Sequence, residues 1–142
     1  MVENKLWFSL ENSHNYPVVE GIKHIQAHNI DAEEEQVQQT INAFNQSVVW
    51  TEMWDLEDAN SRVEEGHSLF IGTDQKGTLA HVWFAEDYLY NCYVNSRRPD
   101  DYGQKFILSC LNMVPHHTIN LYTDEWNVRA QKFFEKVGFL RK

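Results

Sequence analysis

The sequence predicts an α/β protein (α+β in its order) in which helices cover both faces of a mixed central sheet. Three observations support this fold class. Short apolar runs separated by tight turns follow one another over residues 68–94, which is typical of an antiparallel meander. A strand, a helix and a further strand span residues 88–123, and such a crossover makes its two strands parallel. An amphipathic helix over residues 127–138 then completes a β-α-β-α order.

Length and composition favour one domain over residues 1–142. The chain has 42% hydrophobic and 13% aromatic residues, enough for one sizeable core and unlike a disordered chain. No apolar run has the length of a membrane span, and residues 1–13 lack the pattern of a secretory signal. Two cysteines, Cys92 and Cys110, are too few for a disulfide scaffold, so we expect a cytoplasmic protein.

The formal net charge of −9 is distributed unevenly along the chain. Residues 1–66 contain 13 acidic and 3 basic residues, whereas residues 67–142 contain 8 acidic and 9 basic residues. An acidic half attracts cations and repels nucleic acids and anionic membranes, so neither is an expected partner. The second half can hold an anionic cofactor. Most of the individual acids also fit a purely solubilising role.

The N-terminal part predicts one strand and then two helices. Residues 5–10 have the composition of a short strand, and residues 18–30 are ambiguous, although their β-branched content favours extended chain. Asp31 and Glu34 have capping-box spacing, which predicts a helix over residues 32–45. The next helix is expected to begin after Asp55 and to end near Gly66, and the later elements follow at residues 68–72, 78–85 and 88–94 (strands), 102–114 (helix) and 118–123 (strand).

The last helix carries the most specific pattern. Asn127 is placed to cap its start and Gly138 to end it in a left-handed conformation. The stretch resembles the C-terminal signature of the GNAT family (Gcn5-related N-acetyltransferases), and the matching residues are Asn127, Ala130, Phe133, Lys136, Gly138 and Phe139. Phe134 departs from that signature, because the family has a tyrosine there. An ordinary amphipathic helix with a glycine stop is the alternative.

The resemblance covers about residues 20–142 and implies a GNAT-like fold that uses acetyl-CoA as cosubstrate, without a metal. The family binds the pyrophosphate at a strand–loop–helix, where a helix N-terminus favours anions. Gly103 matches the central glycine of that motif, whereas Asp100 and Lys105 depart from it, and a solvated loop of mixed charge is the alternative. The implied cofactor-binding residues are Tyr93, Val94, Arg97, Arg98, Tyr102, Gly103, Gln104, Lys105, Asn127 and Phe134.

The implied reaction is acetyl transfer to a primary amine of a small cationic molecule or a peptide. It needs a base, and the resemblance directs attention to the strand ends at Glu86, Asp87 or Tyr88. It also needs a proton for the leaving sulfur. Phe134 has none to give, so Tyr122 or water would replace the family's tyrosine. Backbone N–H groups near Tyr93 and Val94 would polarise the carbonyl.

The acceptor would bind at the turn between the first two helices. There the resemblance points to Trp50, Glu52 and Trp54, although tryptophans in such a segment serve equally well as core or lid residues. Histidines are numerous, but neither the His24/His28 spacing nor the adjacent His116 and His117 comes with other ligands, so no metal is expected.

Two other functions stay open at this point. The degenerate phosphate loop and Phe134 also fit a GNAT-like fold that has lost catalysis and serves as a binding or structural module. A small-molecule binding domain walled by the meander is a third interpretation. The short segment after Phe139 leaves a sheet edge that a homodimer could cover.

Overall fold

The computed structural model describes residues 4–47, 54–95 and 98–142. The predictions at Trp50, Glu52 and Arg97 lie outside these residues. The strands are β1 (Lys5–Glu11), β2 (Ile22–Ile25), β3 (Ser68–Asp74), β4 (Gly77–Ala85), β5 (Tyr88–Val94), β6 (Thr118–Asp124) and β7 (Leu140–Arg141). The helices are α1 (Glu34–Ser47), α2 (Leu56–Glu64), α3 (Tyr102–Leu111) and α4 (Val128–Val137).

All seven strands form one mixed sheet in the order β2-β3-β4-β5-β6-β1-β7. The pairs β3–β4 and β4–β5 are antiparallel, which confirms the predicted meander. The pair β5–β6 is parallel, as the strand–helix–strand crossover predicted. The other neighbouring strands are antiparallel, so the predicted mixed sheet is confirmed.

Two apolar clusters place helices on both faces of the sheet, as predicted. On one face α1 and α2 pack against Leu69, Ile71 and Trp83 of β3 and β4. On the other face α3 and α4 cover a larger cluster that includes Phe8 of β1 and Phe70 of β3. No helix in the described part of the chain is long and apolar enough to cross a membrane.

The N-terminal strand has a position in the sheet that the sequence did not predict. β1 lies between β6 and β7, antiparallel to both. Phe8 is 1% exposed and Leu10 7%, so the strand contributes to the core under α3 and α4. β7 pairs with Phe8 and Ser9 at the edge of the sheet. Burial of these two side chains explains why a segment so distant in sequence joins here.

Helix N-caps agree with the sequence at two of three predicted places. The Asp55 side chain accepts from the Asp58 backbone N–H in a complete capping box, and Asn127 Oδ1 accepts from Ala130 N at 3.1 Å. The prediction at Asp31 is wrong, because α1 begins at Glu34 and Asp31 lies in the preceding turn. Asn29 organises that turn through side-chain hydrogen bonds at 2.7 and 2.8 Å, which delays the helix.

Candidate active site

A cleft opens where the two parallel strands diverge. The β5–β6 ladder joins Tyr88 to Asn120, and beyond this pair the strands separate around a cavity of about 330 Å³. α4 contributes to its wall. The cavity is lined by Tyr88, Leu89, Tyr90, Asn91, Cys92, Leu121, Tyr122, Thr123, Asp124, Asn127, Ala130 and Phe134.

A bulge in β5 accompanies the divergence. Leu89 pairs with Phe84 and Asn91 with Trp83, so Tyr90 is an extra residue on β5. A bulge bends its strand and increases the local twist, which directs β5 away from β6. The strands are held together before that point, where Asn120 N donates to Asp87 O at 2.8 Å. Asn120 Nδ2 also donates to Asp87 Oδ2, at 3.1 Å.

Two of the predicted catalytic residues meet at the closed end of the cleft. The rings of Tyr88 and Tyr122 are stacked with centroids 6.1 Å apart. Burial, followed by the neighbouring Tyr122 hydroxyl, raises the pKa of Tyr88 well above its usual value. A raised pKa favours the protonated form of Tyr88 near neutral pH, which suits a hydrogen-bond donor better than the predicted base.

The third predicted catalytic residue, Glu86, is not brought to the cleft. It is exposed, has a positive φ of 54° in the β4–β5 turn, and lines a different cavity beside Met113 and His116. Sequence reasoning missed a carboxylate that does line the cleft, Asp124 at the end of β6. Tyr122, a predicted catalytic residue, lies two residues earlier, and the period of two along a strand places both side chains on one face.

A row of aromatic rings crosses the sheet beside the cleft. Successive centroids lie 5.3, 6.1, 6.0, 6.4 and 5.6 Å apart. Arg62 Cζ lies 4.1 Å from the ring centroid of Trp54 and 5.2 Å from that of Tyr90, and both are cation–π distances. In order, the row consists of Trp7, Tyr122, Tyr88, Tyr90, Trp83 and Trp54. Trp54, predicted near the acceptor, is therefore connected to the cleft through ring contacts.

α4 presents its predicted residues to the cleft from the other side. Asn127 caps the helix and also lines the cavity. Phe134 is 8% exposed and packs edge-on against Phe133 and Phe139, with ring centroids 5.1 and 5.8 Å away. The residue at the position where the resemblance expects a tyrosine therefore lines the cleft, and its side chain carries no polar atom.

The predicted phosphate-binding segment has a helix N-terminus and mixed charges. α3 begins after Asp101, whose φ of 61° is left-handed and whose side chain makes no cap hydrogen bond. Asp100, Asp101, Arg98 and Lys105 are all exposed around this end. Arg98 Nη1 donates to Asn95 O at 3.3 Å. The residues around the positive helix end thus include two acids as well as two bases.

Several of the other residues in this segment that are predicted to bind the cofactor make packing contacts. A Cβ on Gly103 would lie 3.0 Å from the Phe133 ring and 3.1 Å from Val94 Cγ2, so a glycine lets α3 approach β5 and α4. Tyr102 stacks on Phe106 and its hydroxyl is buried without a partner among the described residues, whereas Gln104 is half-buried. The ring of Tyr93 lies 5.9 Å from that of His81.

Two titratable groups near the cleft, one half-buried and one buried, have pKa values shifted towards the neutral form. Burial raises the pKa of the Cys92 thiol to about 12, which disfavours the nucleophilic thiolate near neutral pH. Burial lowers the pKa of His81 to about 4, although a 2.7 Å hydrogen bond between Nε2 and Asn91 Oδ1 opposes the shift. Among the described residues no group of three or more metal-binding side chains could hold an ion.

The fold is similar to that of solved acetyltransferases. A GNAT-family acetyltransferase from Colwellia psychrerythraea gives a TM-score of 0.64 at 18% identity, covering 99% of this chain and 53% of its own. For a GCN5-related N-acetyltransferase from Sphaerobacter thermophilus the values are 0.58 and 14%, with 99% and 49% covered. For an aminoglycoside acetyltransferase from an uncultured soil metagenomic sample they are 0.60 and 11%, with 82% and 86% covered.

No family model and no curated protein matches the sequence. The chain spans about half the length of several of the solved structures. The similarity in fold nevertheless extends along 99% of this chain for two of them. The chain therefore has the fold of the GNAT acetyltransferases.

Proposed function

We propose that this chain is an N-acetyltransferase that transfers the acetyl group of acetyl-CoA to a primary amine. The cleft that opens beyond the Tyr88–Asn120 pair carries this proposal. Diverging strands leave backbone N–H and C=O groups along a slot, and an extended ligand with amide groups can pair with them. The amide-containing arm of coenzyme A is such a ligand, and acetyl-CoA would supply an acetyl group activated as a thioester.

The N-terminus of α3 would hold the phosphates. Its helix dipole favours an anion, and Gly103 keeps the helix close to the end of β5. Arg98 and Lys105 supply exposed positive charge. Asp100 and Asp101 oppose it, so the phosphates would be bound more weakly than at a helix end free of acids.

Neutralising the two acids should tighten the binding of coenzyme A. Asn tolerates the left-handed conformation at position 101, so Asp100→Asn and Asp101→Asn keep the backbone while removing a repulsive charge. We expect each variant to lower Kd for coenzyme A about threefold at low salt. The expected gain is this small because solvent screens the interactions of exposed charges. Calorimetric titration at two salt concentrations measures this. Glu57→Gln, at an exposed position of α2, is the matched control, and an equal gain there would contradict a local phosphate site.

The amine would enter from the side of the aromatic row. Asp124 lines the cleft, and strand alternation places it on the same face as Tyr122. A carboxylate there attracts the cationic form of an amine and can accept its proton, directly or through water. Tyr88, whose raised pKa favours its protonated form, would orient the reacting groups as a hydrogen-bond donor.

Acetyl transfer to an amine panel tests the proposal. The panel contains a polyamine, an amino sugar and a peptide with a free lysine, and release of the coenzyme A thiol is followed with time. We expect amine-dependent release above hydrolysis. Asp124→Asn should lower this rate at neutral pH, and an unchanged rate would remove the carboxylate from the reaction.

The alternative is a GNAT-like fold that binds without catalysis. The buried, apolar Phe134 and the acids at α3 favour it. It predicts binding of coenzyme A with no thiol release for any amine in the panel.

The two free cysteines suit a reducing compartment, which supports a proposed cytoplasmic location.

A further inference from the structure

Thr123 lines the cleft and carries a buried hydroxyl without a partner among the described residues. The residue is 5% exposed, and its Oγ1 has no hydrogen-bond partner in the described part of the chain. It lines the same cavity as Phe134. A buried hydroxyl without a partner is unfavourable in an apolar setting, so its presence on a residue that lines a ligand-sized cleft requires an explanation.

The alternation of side chains along β6 shows on which side of the cleft Thr123 lies. Along β6 the residues Ile119, Leu121 and Thr123 are buried, and the first two belong to the core under α3 and α4. Tyr122 alternates with them and belongs to the aromatic row on the opposite face. The hydroxyl therefore lies on the side of α4, where Phe134 offers no proton donor.

Other unpartnered buried polar atoms do not share this position. In the described residues they are the side-chain atoms His24 Nε2, His81 Nδ1, Tyr102 Oη and Asn120 Oδ1, and none of these four residues lines the cleft. Thr123 combines burial, a free hydroxyl and a place in the cleft wall. This combination points to a ligand atom as its partner.

We propose that Thr123 donates a hydrogen bond from Oγ1–H to the sulfur of the bound thioester, an inference that rests on the proposed function. During transfer the carbon–sulfur bond breaks and its electron pair remains on sulfur, while the carbon–nitrogen bond forms and the amine releases a proton to the base or to water. Thr123 stabilises the thiolate without losing its proton. Water then protonates the sulfur, so the balance needs no further reactant.

Thr123→Val and Thr123→Ser separate the hydroxyl from the shape of the side chain. Valine is nearly isosteric and lacks the hydroxyl, whereas serine keeps it. Removing a hydrogen bond to a charged group should lower kcat about tenfold in Thr123→Val, with KM little changed. Thr123→Ser should remain close to the natural chain. Because Oγ1 makes no bond within the described protein, Thr123→Val should not lower the unfolding temperature.

The pKa of the bound coenzyme A thiol is the measurement that tests this role independently of turnover. It is followed by the ultraviolet absorbance of the thiolate as pH is raised, with protein in excess. We expect Thr123→Val to raise this pKa by about one unit, a tenfold change in acid strength, and Thr123→Ser to leave it unchanged. Equal values in all three proteins would overturn the role of Thr123 alone. Failure of the natural chain to bind coenzyme A would overturn the proposed function and this role together.

Discussion

Phe134→Tyr is expected to raise the turnover of acetyl transfer by about 10²-fold, the lower end of the range for a positioned general acid. Phe134 lines the cleft, and its ring is held by Phe133 and Phe139. A hydroxyl on this ring would supply the proton that the leaving sulfur otherwise takes from water. The lower end applies because a thiolate is already a good leaving group. The measurement is kcat with the best amine of the panel.

Phe133→Tyr is the matched control for that variant. Phe133 is the neighbouring ring on α4, but it packs against Gly103 and does not line the cleft. A hydroxyl there should leave kcat unchanged. If both variants behaved alike, or if Phe134→Tyr had no effect in an active enzyme, position 134 would not lie beside the leaving sulfur.

Acidification should destabilise the fold through His81. The residue is buried and burial lowers its pKa to about 4, whereas an unfolded histidine titrates near 6.5. The folded state therefore binds fewer protons, so the stability from neutral His81 is full above about pH 6.5 and is lost as pH falls towards 4. The shift corresponds to about 3 kcal/mol of unfolding free energy.

Denaturant unfolding at pH 7 and pH 4.5 tests this contribution. His81→Gln cannot titrate, and its amide can still donate to Asn91 Oδ1, so it should lose much less stability between the two conditions. Burial also lowers the pKa of His24, which gives a smaller loss of the same sign in both proteins. His117→Gln, at an exposed position, is the control. Equal acid sensitivity of His81→Gln and the natural chain would contradict the assignment.

Local patterns predicted the parts of the fold that short-range physics decides. Asn127 and Gly138 bound α4 because one side chain caps free N–H groups and the other residue adopts a φ of 125°. Asp55 and Asp58 form the capping box at α2. The prediction at Asp31 was wrong because a turn organised by Asn29 occupies the preceding residues. Residue spacing alone does not distinguish a capping box from such a turn.

Long-range pairing decided the rest. Nothing near residues 5–11 shows that β1 lies between β6 and β7, because its partners are more than a hundred residues away. The same holds for the cleft, whose shape depends on the extra residue Tyr90 and on where β5 leaves β6. Thr123 was missed for this reason, since a threonine in a strand has no signal of its own. Its alternation with Tyr122 was the available clue.

In the proposed function, the cleft between β5 and β6 binds the thioester-bearing arm of acetyl-CoA. Ala130 lines the cleft from α4, so Ala130→Phe would fill it, whereas Ala43→Phe on α1 adds the same bulk at a position that does not line it. Calorimetric titration with acetyl-CoA and with coenzyme A measures binding to each protein. We predict micromolar affinity for the natural chain and for Ala43→Phe, and its loss in Ala130→Phe. Equal binding by Ala130→Phe, or no binding by the natural chain at millimolar ligand, would contradict the account.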